Sequence, residues 1–189
     1  MLKNLPNLLT LSRIAAVPLL VLLVSLHDPR TDFAASMVFA AAGITDYFDG
    51  KLARERMLTS SLGRMLDPIA DKLLVGAALM VLAGEGHLSM WGLYPAIVIM
   101  MREILVSGLR EYLAEVRIGL PVTNLAKWKT GFQMGAVGAL IAGDPGAHFV
   151  HLDFLHVEYV GNAMLWIAAV LTLLTGWDYL IAGLSHARE

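Results

Sequence analysis

The chain has 189 residues, of which 57% are hydrophobic and 16% are charged, and its mean hydropathy is +0.65. A soluble domain carries about 25% charged residues, so this composition favours a membrane protein. The sequence contains no cysteine, which excludes disulfides, thiolate metal sites and cysteine nucleophiles. A net charge of −2 gives no basic field, so nucleic acid is not expected as a partner.

Six apolar stretches follow one another along the chain, and each approaches the roughly 20 residues that a helix needs to cross a bilayer. They run over residues 8–26, 33–53, 66–83, 90–110, 125–143 and 159–183. Residues typical of turns separate them, including Asp28-Pro29 and Asp144-Pro145-Gly146. The sequence therefore predicts an all-α polytopic membrane protein with six transmembrane helices, in which residues 1–189 form a single domain.

Lysine and arginine predict the orientation, because short loops rich in these residues stay in the cytoplasm. One set of helix ends holds most of them: Lys3, Arg13, Lys51, Arg54, Arg56, Arg64, Arg110, Arg117, Lys127, Lys129 and Arg188. The opposite ends hold only Arg30. We therefore expect both termini and a polar cavity on the cytoplasmic side of a bacterial inner membrane.

Four aspartates lie in the second and third stretches at helical spacing. Asp46 and Asp49 are three residues apart, and Asp67 and Asp71 are four apart, so each pair shares one face of its helix. The two helices are joined by a short basic loop, which predicts that they are antiparallel neighbours. The four carboxylates are therefore expected to converge near the cytoplasmic surface.

Such a cluster needs compensation, because each ionised aspartate in hydrocarbon costs about 3 kcal/mol and the four repel one another. A hard divalent cation, Mg²⁺ or alternatively Mn²⁺, is the natural partner for carboxylate oxygens. The alternative is that the acids form structural ion pairs with Arg54, Arg64 and Lys72. Gly50 and Gly63 lie beside the acids and would let a ligand approach the backbone closely.

Residues 46–71 carry a complete motif: D-x-x-D-G-x-x-A-R, then eight residues, then G-x-x-x-D-x-x-x-D. This motif resembles the signature of the CDP-alcohol phosphotransferases, whose six-helix layout also matches the predicted one. The resemblance implies an enzyme of phospholipid biosynthesis, in which an alcohol attacks the β-phosphorus of a CDP-linked lipid and CMP leaves.

The resemblance also implies roles for individual residues. The metal ligands would be Asp46, Asp49, Asp67 and Asp71, and Asp71 would also act as general base. Contacts to the CDP-lipid would come from Gly50, Arg54 and Ser60, and from Asn7, Thr10 and Arg13 at the start of the first helix. For these last three residues the alternative is helix capping by Asn7 or Thr10 and interfacial anchoring by Arg13.

Basic residues of the fourth and fifth stretches predict the acceptor. Arg102 and Arg110 are eight residues apart, close to one helix face, and Lys127 and Lys129 follow at the next helix entrance. Several cations would suit a phosphorylated alcohol, and glycerol 3-phosphate fits best. The alternative is that the arginines pair with the glutamates that follow them and that the lysines only set topology. Because Lys127 and Lys129 are two residues apart, at most one should point at a given phosphate.

The predicted reaction transfers a phosphatidyl group from CDP-diacylglycerol to glycerol 3-phosphate, and segments 5–14 and 102–111 resemble family members with this acceptor. Other members would use inositol phosphate, serine or a second lipid. A prenyltransferase with aspartate-rich motifs, an ion-coupled transporter and a non-catalytic scaffold are the alternatives outside the family. Family members often dimerise, so the expected partners are the two substrates, the lipid bilayer and a second copy of the chain.

Overall fold

The computed structural model describes residues 5–56, 61–116, 124–149, 151, 154 and 156–186. These residues form six α-helices and no strand, which confirms the all-helical prediction. The helices are α1 (Leu5–Val24), α2 (Pro29–Arg56), α3 (Ser61–Gly84), α4 (Met90–Glu115), α5 (Asn124–His148) and α6 (Val157–His186). Each helix contains most of one predicted apolar stretch.

Among the described residues, two segments are long and apolar enough to cross a membrane, Met90–Glu115 of α4 and Val157–Ile181 of α6. A shorter apolar segment, Leu8–Val24, lies in α1. Large side chains are exposed on the helical surface, among them Met80, Trp91 and Tyr159. Apolar surface of this kind suits contact with lipid. Six crossings and their orientation remain predictions.

The central helix of the first half is α1, which packs against both α2 and α3. The expectation that α2 and α3 are direct neighbours is wrong for the described residues, because α3 packs mainly against α1, whereas α2 packs against α1 and α5. Leu20 and Val24 of α1 are fully buried at this junction. A short connection makes α2 and α3 consecutive, but burial of the apolar α1 face decides which helices touch.

The six helices share one hydrophobic core. Each contributes at least one side chain that is almost completely buried: Leu20, Phe39, Leu74, Ile99, Leu140 and Leu165. In the second half, α6 packs against α4 and α5, while α5 also packs against α2. This arrangement connects the two halves through α2 and α5.

Close approach of α5 and α6 depends on glycine. A Cβ atom at Gly161 of α6 would lie 2.9 Å from the Leu140 Cγ atom of α5, so a larger residue would force the helices apart. The fifth apolar stretch is predicted to end at residue 143, before the Asp144-Pro145-Gly146 sequence. Gly143 has φ 61° and ψ −179°, a non-helical conformation that favours glycine, so the first helical segment of α5 ends there and a short second segment continues to His148.

Candidate active site

Two of the predicted metal ligands converge on α1. Arg13 donates a hydrogen bond to Asp46 of α2, and its Nη2 atom lies 4.0 Å from the Asp67 Oδ1 atom of α3. Thr10 Oγ1 donates to the same Asp67 oxygen over 2.5 Å. Arg13 is only 2% exposed, whereas the side chains of Asp46 and Asp67 are about half exposed. The two carboxylates therefore face one shared position from different helices.

Thr10 and Arg13 reach these carboxylates because they are three residues apart and lie on one face of α1. Thr10 lies inside α1, which begins at Leu5, so the capping alternative is wrong for this residue. Arg13 is buried and ion-paired, so the interfacial-anchor alternative is also wrong. Both residues organise the carboxylates, and their contact with a CDP-lipid remains a prediction.

Asp71 lies one helical turn beyond Asp67 on α3 and is exposed on the wall of a large cavity. Among the described side chains, no three acidic or histidine residues form a group placed to hold a metal ion. The oxygen donors nevertheless suit a hard cation, and Asp46 and Asp67 already converge on a cationic group. The donor chemistry therefore fits Mg²⁺, and Asp71 is the next acidic residue after Asp67 on α3.

Five other predicted site residues are described only in part or not at all. Asn7 belongs to α1, and Asp49, Gly50 and Arg54 belong to α2, but their environments lie outside what the structure describes, and Ser60 lies outside it altogether. Their roles as a metal ligand (Asp49) and as CDP-lipid contacts (the other four) remain predictions. The geometry described above therefore includes three of the four predicted carboxylates and leaves out Asp49.

The cavity has a volume of about 960 Å³ and is lined by residues of α2, α3, α4, α5 and α6. Asp71 and all four predicted acceptor-binding residues line it: Arg102, Arg110, Lys127 and Lys129. The acidic lining residues are Asp71 and Glu103, so the described wall carries two more cations than anions. A volume near the upper end of typical ligand sites and this excess of positive charge suit an anionic substrate.

Two of the four cations share one carboxylate, which offsets only part of their combined charge. Lys129 of α5 donates a hydrogen bond to Glu103 of α4, and Arg102 Nη1 lies 3.6 Å from the same Glu103 oxygen. Lys129, Arg102 and Glu103 are 8%, 11% and 19% exposed, so water screens these interactions little. The ion-pair alternative therefore holds for Arg102, and Lys129 shares its carboxylate.

The other two cations differ. Arg110 and Lys127 are exposed on the cavity wall, and neither has an ion-pair partner among the described residues. The Arg110 guanidinium lies 6.0 Å from the centre of the Tyr179 ring of α6. Their charges are not offset by a neighbouring carboxylate in the described structure, so these two groups are the ones best placed to receive a phosphate.

Sequence reasoning missed the contribution of α6. Thr175 Oγ1 accepts a hydrogen bond from Arg102 Nη2 over 2.8 Å, and the Tyr179 ring lies 5.7 Å from the Arg102 guanidinium carbon. Together with the buried Thr172, these residues are spaced i, i+3 and i+7 on a largely apolar helix. Such a polar stripe in a lipid-compatible helix was the available signal.

Comparison with known proteins bears directly on this arrangement. The CDP-alcohol phosphatidyltransferase family model matches residues 3–174. A protein of Rickettsia bellii named CDP-diacylglycerol–glycerol-3-phosphate 3-phosphatidyltransferase is 45% identical over 177 residues, which are 94% of this chain and 93% of that protein. Proteins with the same name from Shigella flexneri serotype 5b and Cereibacter sphaeroides are 42% and 36% identical, over 95% and 98% of this chain and 94% and 98% of theirs.

The matched region runs from the first residues of α1 into α6, and it includes the aspartate motif and the four cations of the cavity. It thus covers both parts of the candidate site. On this evidence the chain belongs to the CDP-alcohol phosphatidyltransferase family.

Proposed function

We propose that this enzyme transfers the phosphatidyl group of CDP-diacylglycerol to glycerol 3-phosphate, forming phosphatidylglycerophosphate and releasing CMP. The observation that carries the proposal is the cavity lined by Asp71 together with Arg110 and Lys127, two cations without a described ion-pair partner. The names of the full-length relatives support the same reaction.

The reaction needs a base that takes the proton from the attacking hydroxyl of glycerol 3-phosphate. A hydroxyl oxygen of glycerol 3-phosphate attacks the β-phosphorus of CDP-diacylglycerol, and the bond from this phosphorus to the CMP oxygen breaks. The hydroxyl proton passes to Asp71, and CMP leaves with the bonding electrons. Asp71 suits this role because its carboxylate is exposed to the cavity that would hold the alcohol.

The phosphate of glycerol 3-phosphate binds at the basic wall of the cavity, which is formed by Arg102, Arg110, Lys127 and Lys129. Arg110 and Lys127 supply direct contacts, because their charges are exposed in the cavity. Arg102 and Lys129 line the same wall but share Glu103, so they contribute a smaller net charge. Binding the phosphate here holds the acceptor hydroxyl near Asp71, which lowers the entropic cost of the reaction.

Asp46, Asp49, Asp67 and Asp71 are the proposed ligands of Mg²⁺. When bound, the ion offsets the negative charge of the diphosphate and of the departing CMP. Arg13 and Thr10 orient two of these carboxylates from α1. Gly50, Arg54, Ser60 and Asn7 complete the proposed CDP-lipid site.

We further propose that the six helices all cross the inner membrane of a bacterial cell, with both termini and the cavity opening at the cytoplasmic side and with a homodimer as the assembly. The clustering of basic residues at one set of helix ends supports this orientation. A cysteine scan of the cysteine-free chain tests it, since Ser25→Cys and Asn124→Cys should react with an impermeant reagent from opposite sides of the membrane.

Acceptor-dependent release of CMP tests the function. Purified protein in lipid nanodiscs would receive CDP-diacylglycerol with Mg²⁺ and, in turn, glycerol 3-phosphate, inositol 1-phosphate, serine or phosphatidylglycerol. We expect CMP and phosphatidylglycerophosphate only with the first acceptor. Turnover with serine, inositol phosphate or phosphatidylglycerol instead would replace the proposed acceptor, and the absence of CMP with every acceptor would reject the enzymatic proposal.

A further inference from the structure

Three residues of α6, Thr175, Gly176 and Tyr179, lie against Arg102 of α4. They follow Arg102 by more than 70 positions in the sequence. The first is Thr175, which is 1% exposed. Its hydroxyl donates to the carbonyl oxygen of Leu171 over 2.8 Å, so its lone pairs remain to accept the hydrogen bond from Arg102 Nη2. The buried threonine therefore fixes the direction in which the guanidinium points.

The second feature is Gly176, over which the Arg102 side chain runs. A Cβ atom at Gly176 would lie 3.1 Å from both the Cγ and the Nε atoms of Arg102. The stem of Arg102 has little freedom to retreat, because its tip is bound by Thr175 and lies 3.6 Å from Glu103. An added methyl group at this position would therefore move the guanidinium.

The third feature is Tyr179, whose ring faces two arginines at once. The guanidinium carbons of Arg102 and Arg110 lie 5.7 Å and 6.0 Å from the ring centre. The face of an aromatic ring attracts cations, so Tyr179 favours the close approach of two groups that repel each other. Tyr179 also lines the cavity, which places the ring and both arginines on one wall.

We propose that Thr175, Gly176 and Tyr179 are positioning residues that set the two arginines for the phosphate of the acceptor, so that α6 determines the preference for a phosphorylated alcohol. This inference rests on the proposed function. Thr175 and Gly176 act through Arg102, and Tyr179 acts through Arg102 and Arg110. None of their described contacts reaches Asp71 or the carboxylate cluster of α1–α3. They should therefore affect acceptor binding and spare both the CDP-lipid and the chemical step.

The test is steady-state kinetics of three substitutions, each with a matched control. Gly176→Ala is compared with Gly108→Ala, a helical glycine of α4 with no atom within 4 Å of an added Cβ. Thr175→Val is compared with Thr175→Ser, which keeps the hydroxyl. Tyr179→Leu is compared with Tyr179→Phe, which keeps the ring. Thermal unfolding of each purified variant shows whether it is folded.

We expect Tyr179→Leu, which removes the ring that both arginines face, to raise the KM for glycerol 3-phosphate by about tenfold, as loss of one charged contact would. Gly176→Ala and Thr175→Val act only through the ion-paired Arg102, so we expect each to raise this KM by about fivefold, the effect of one ordinary hydrogen bond. The KM for CDP-diacylglycerol and kcat should change by less than about twofold, and the three controls should stay close to the wild type. If one variant fails to fold, the other two decide. Equal changes for both substrates, or no change in either, would overturn the proposal.

Failure of the proposed function gives a different result. In that case the wild-type protein itself would release CMP with another acceptor, or not at all, and the inference would fall together with the proposed function. If the wild type is active but the KM for glycerol 3-phosphate is unchanged in all three folded variants, the positioning role of α6 is rejected and the proposed function stands.

Discussion

The two walls of the candidate site are built in different ways. The carboxylate wall comes from α2 and α3, and its residues lie within 46–71, with Arg13 and Thr10 of α1 bracing it. The basic wall brings together α4, α5 and α6, whose contributing residues extend over 102–179. The first wall is a local motif, whereas the second exists only once distant helices have packed. The proposed reaction chemistry and the proposed acceptor recognition therefore have separate structural origins.

Removal of divalent metal ions should have the largest effect on activity. Excess EDTA is expected to reduce CMP release below detection, because four carboxylates around an anionic diphosphate need a cation to offset their repulsion. Adding Mg²⁺ back should restore activity, and the thermal unfolding midpoint in EDTA shows whether the protein remains folded. Undiminished turnover in the folded, metal-depleted protein would contradict the metal proposal.

Asp71→Asn should strongly reduce turnover, because it removes the proposed general base, which is also one of the proposed Mg²⁺ ligands. General-base catalysis contributes about 100- to 10,000-fold, so we expect kcat to fall within this range while the unfolding midpoint changes little. The matched control is Asp32→Asn, a buried aspartate in the first turn of α2. Activity close to that of the wild type in Asp71→Asn would show that another group accepts the proton.

Arg110→Ala should affect only the basic wall. We expect the KM for glycerol 3-phosphate to rise by about 10- to 100-fold, the loss that corresponds to one hydrogen bond between charged groups. The KM for CDP-diacylglycerol should hardly change, and Arg110→Lys should fall between the wild type and the alanine variant. Equal increases for both substrates would mean that the two walls do not bind separate substrates.

Substitutions of Glu103 test how much the ion pair in the basic wall contributes to the stability of the protein. Glu103→Ala leaves Lys129 buried without its carboxylate, so we expect the protein to lose about 3 kcal/mol of stability. The double substitution Glu103→Leu with Lys129→Met removes both charges and should recover most of this loss. Thermal or denaturant unfolding measures both. A double variant as unstable as Glu103→Ala would show that packing, and not the charge pair, is the source.

The difference between the walls also explains what the sequence predicted. The six helices followed from apolar stretches, and the aspartate motif followed from i, i+3 and i, i+4 spacing. The basic residues were also identified, because cations in apolar helices are costly and therefore conspicuous.

The partners of these cations were not predictable in the same way. That Glu103 joins Arg102 to Lys129, and that Thr175 and Tyr179 hold Arg102, depends on how α4, α5 and α6 pack. Likewise, the central position of α1 between α2 and α3 depends on which apolar faces bury one another. Chain order gave the wrong neighbour there, because a short connection does not fix a contact.

The basic wall of the cavity that Asp71 also lines is proposed to select an acceptor by its phosphate. The most direct measurement of this claim compares kcat/KM for glycerol 3-phosphate with that for glycerol, a pair that differs in the phosphate alone. We expect glycerol to be poorer by at least about 1,000-fold, because it leaves the cations of the cavity without their anion. Comparable values for the two alcohols would contradict the claim.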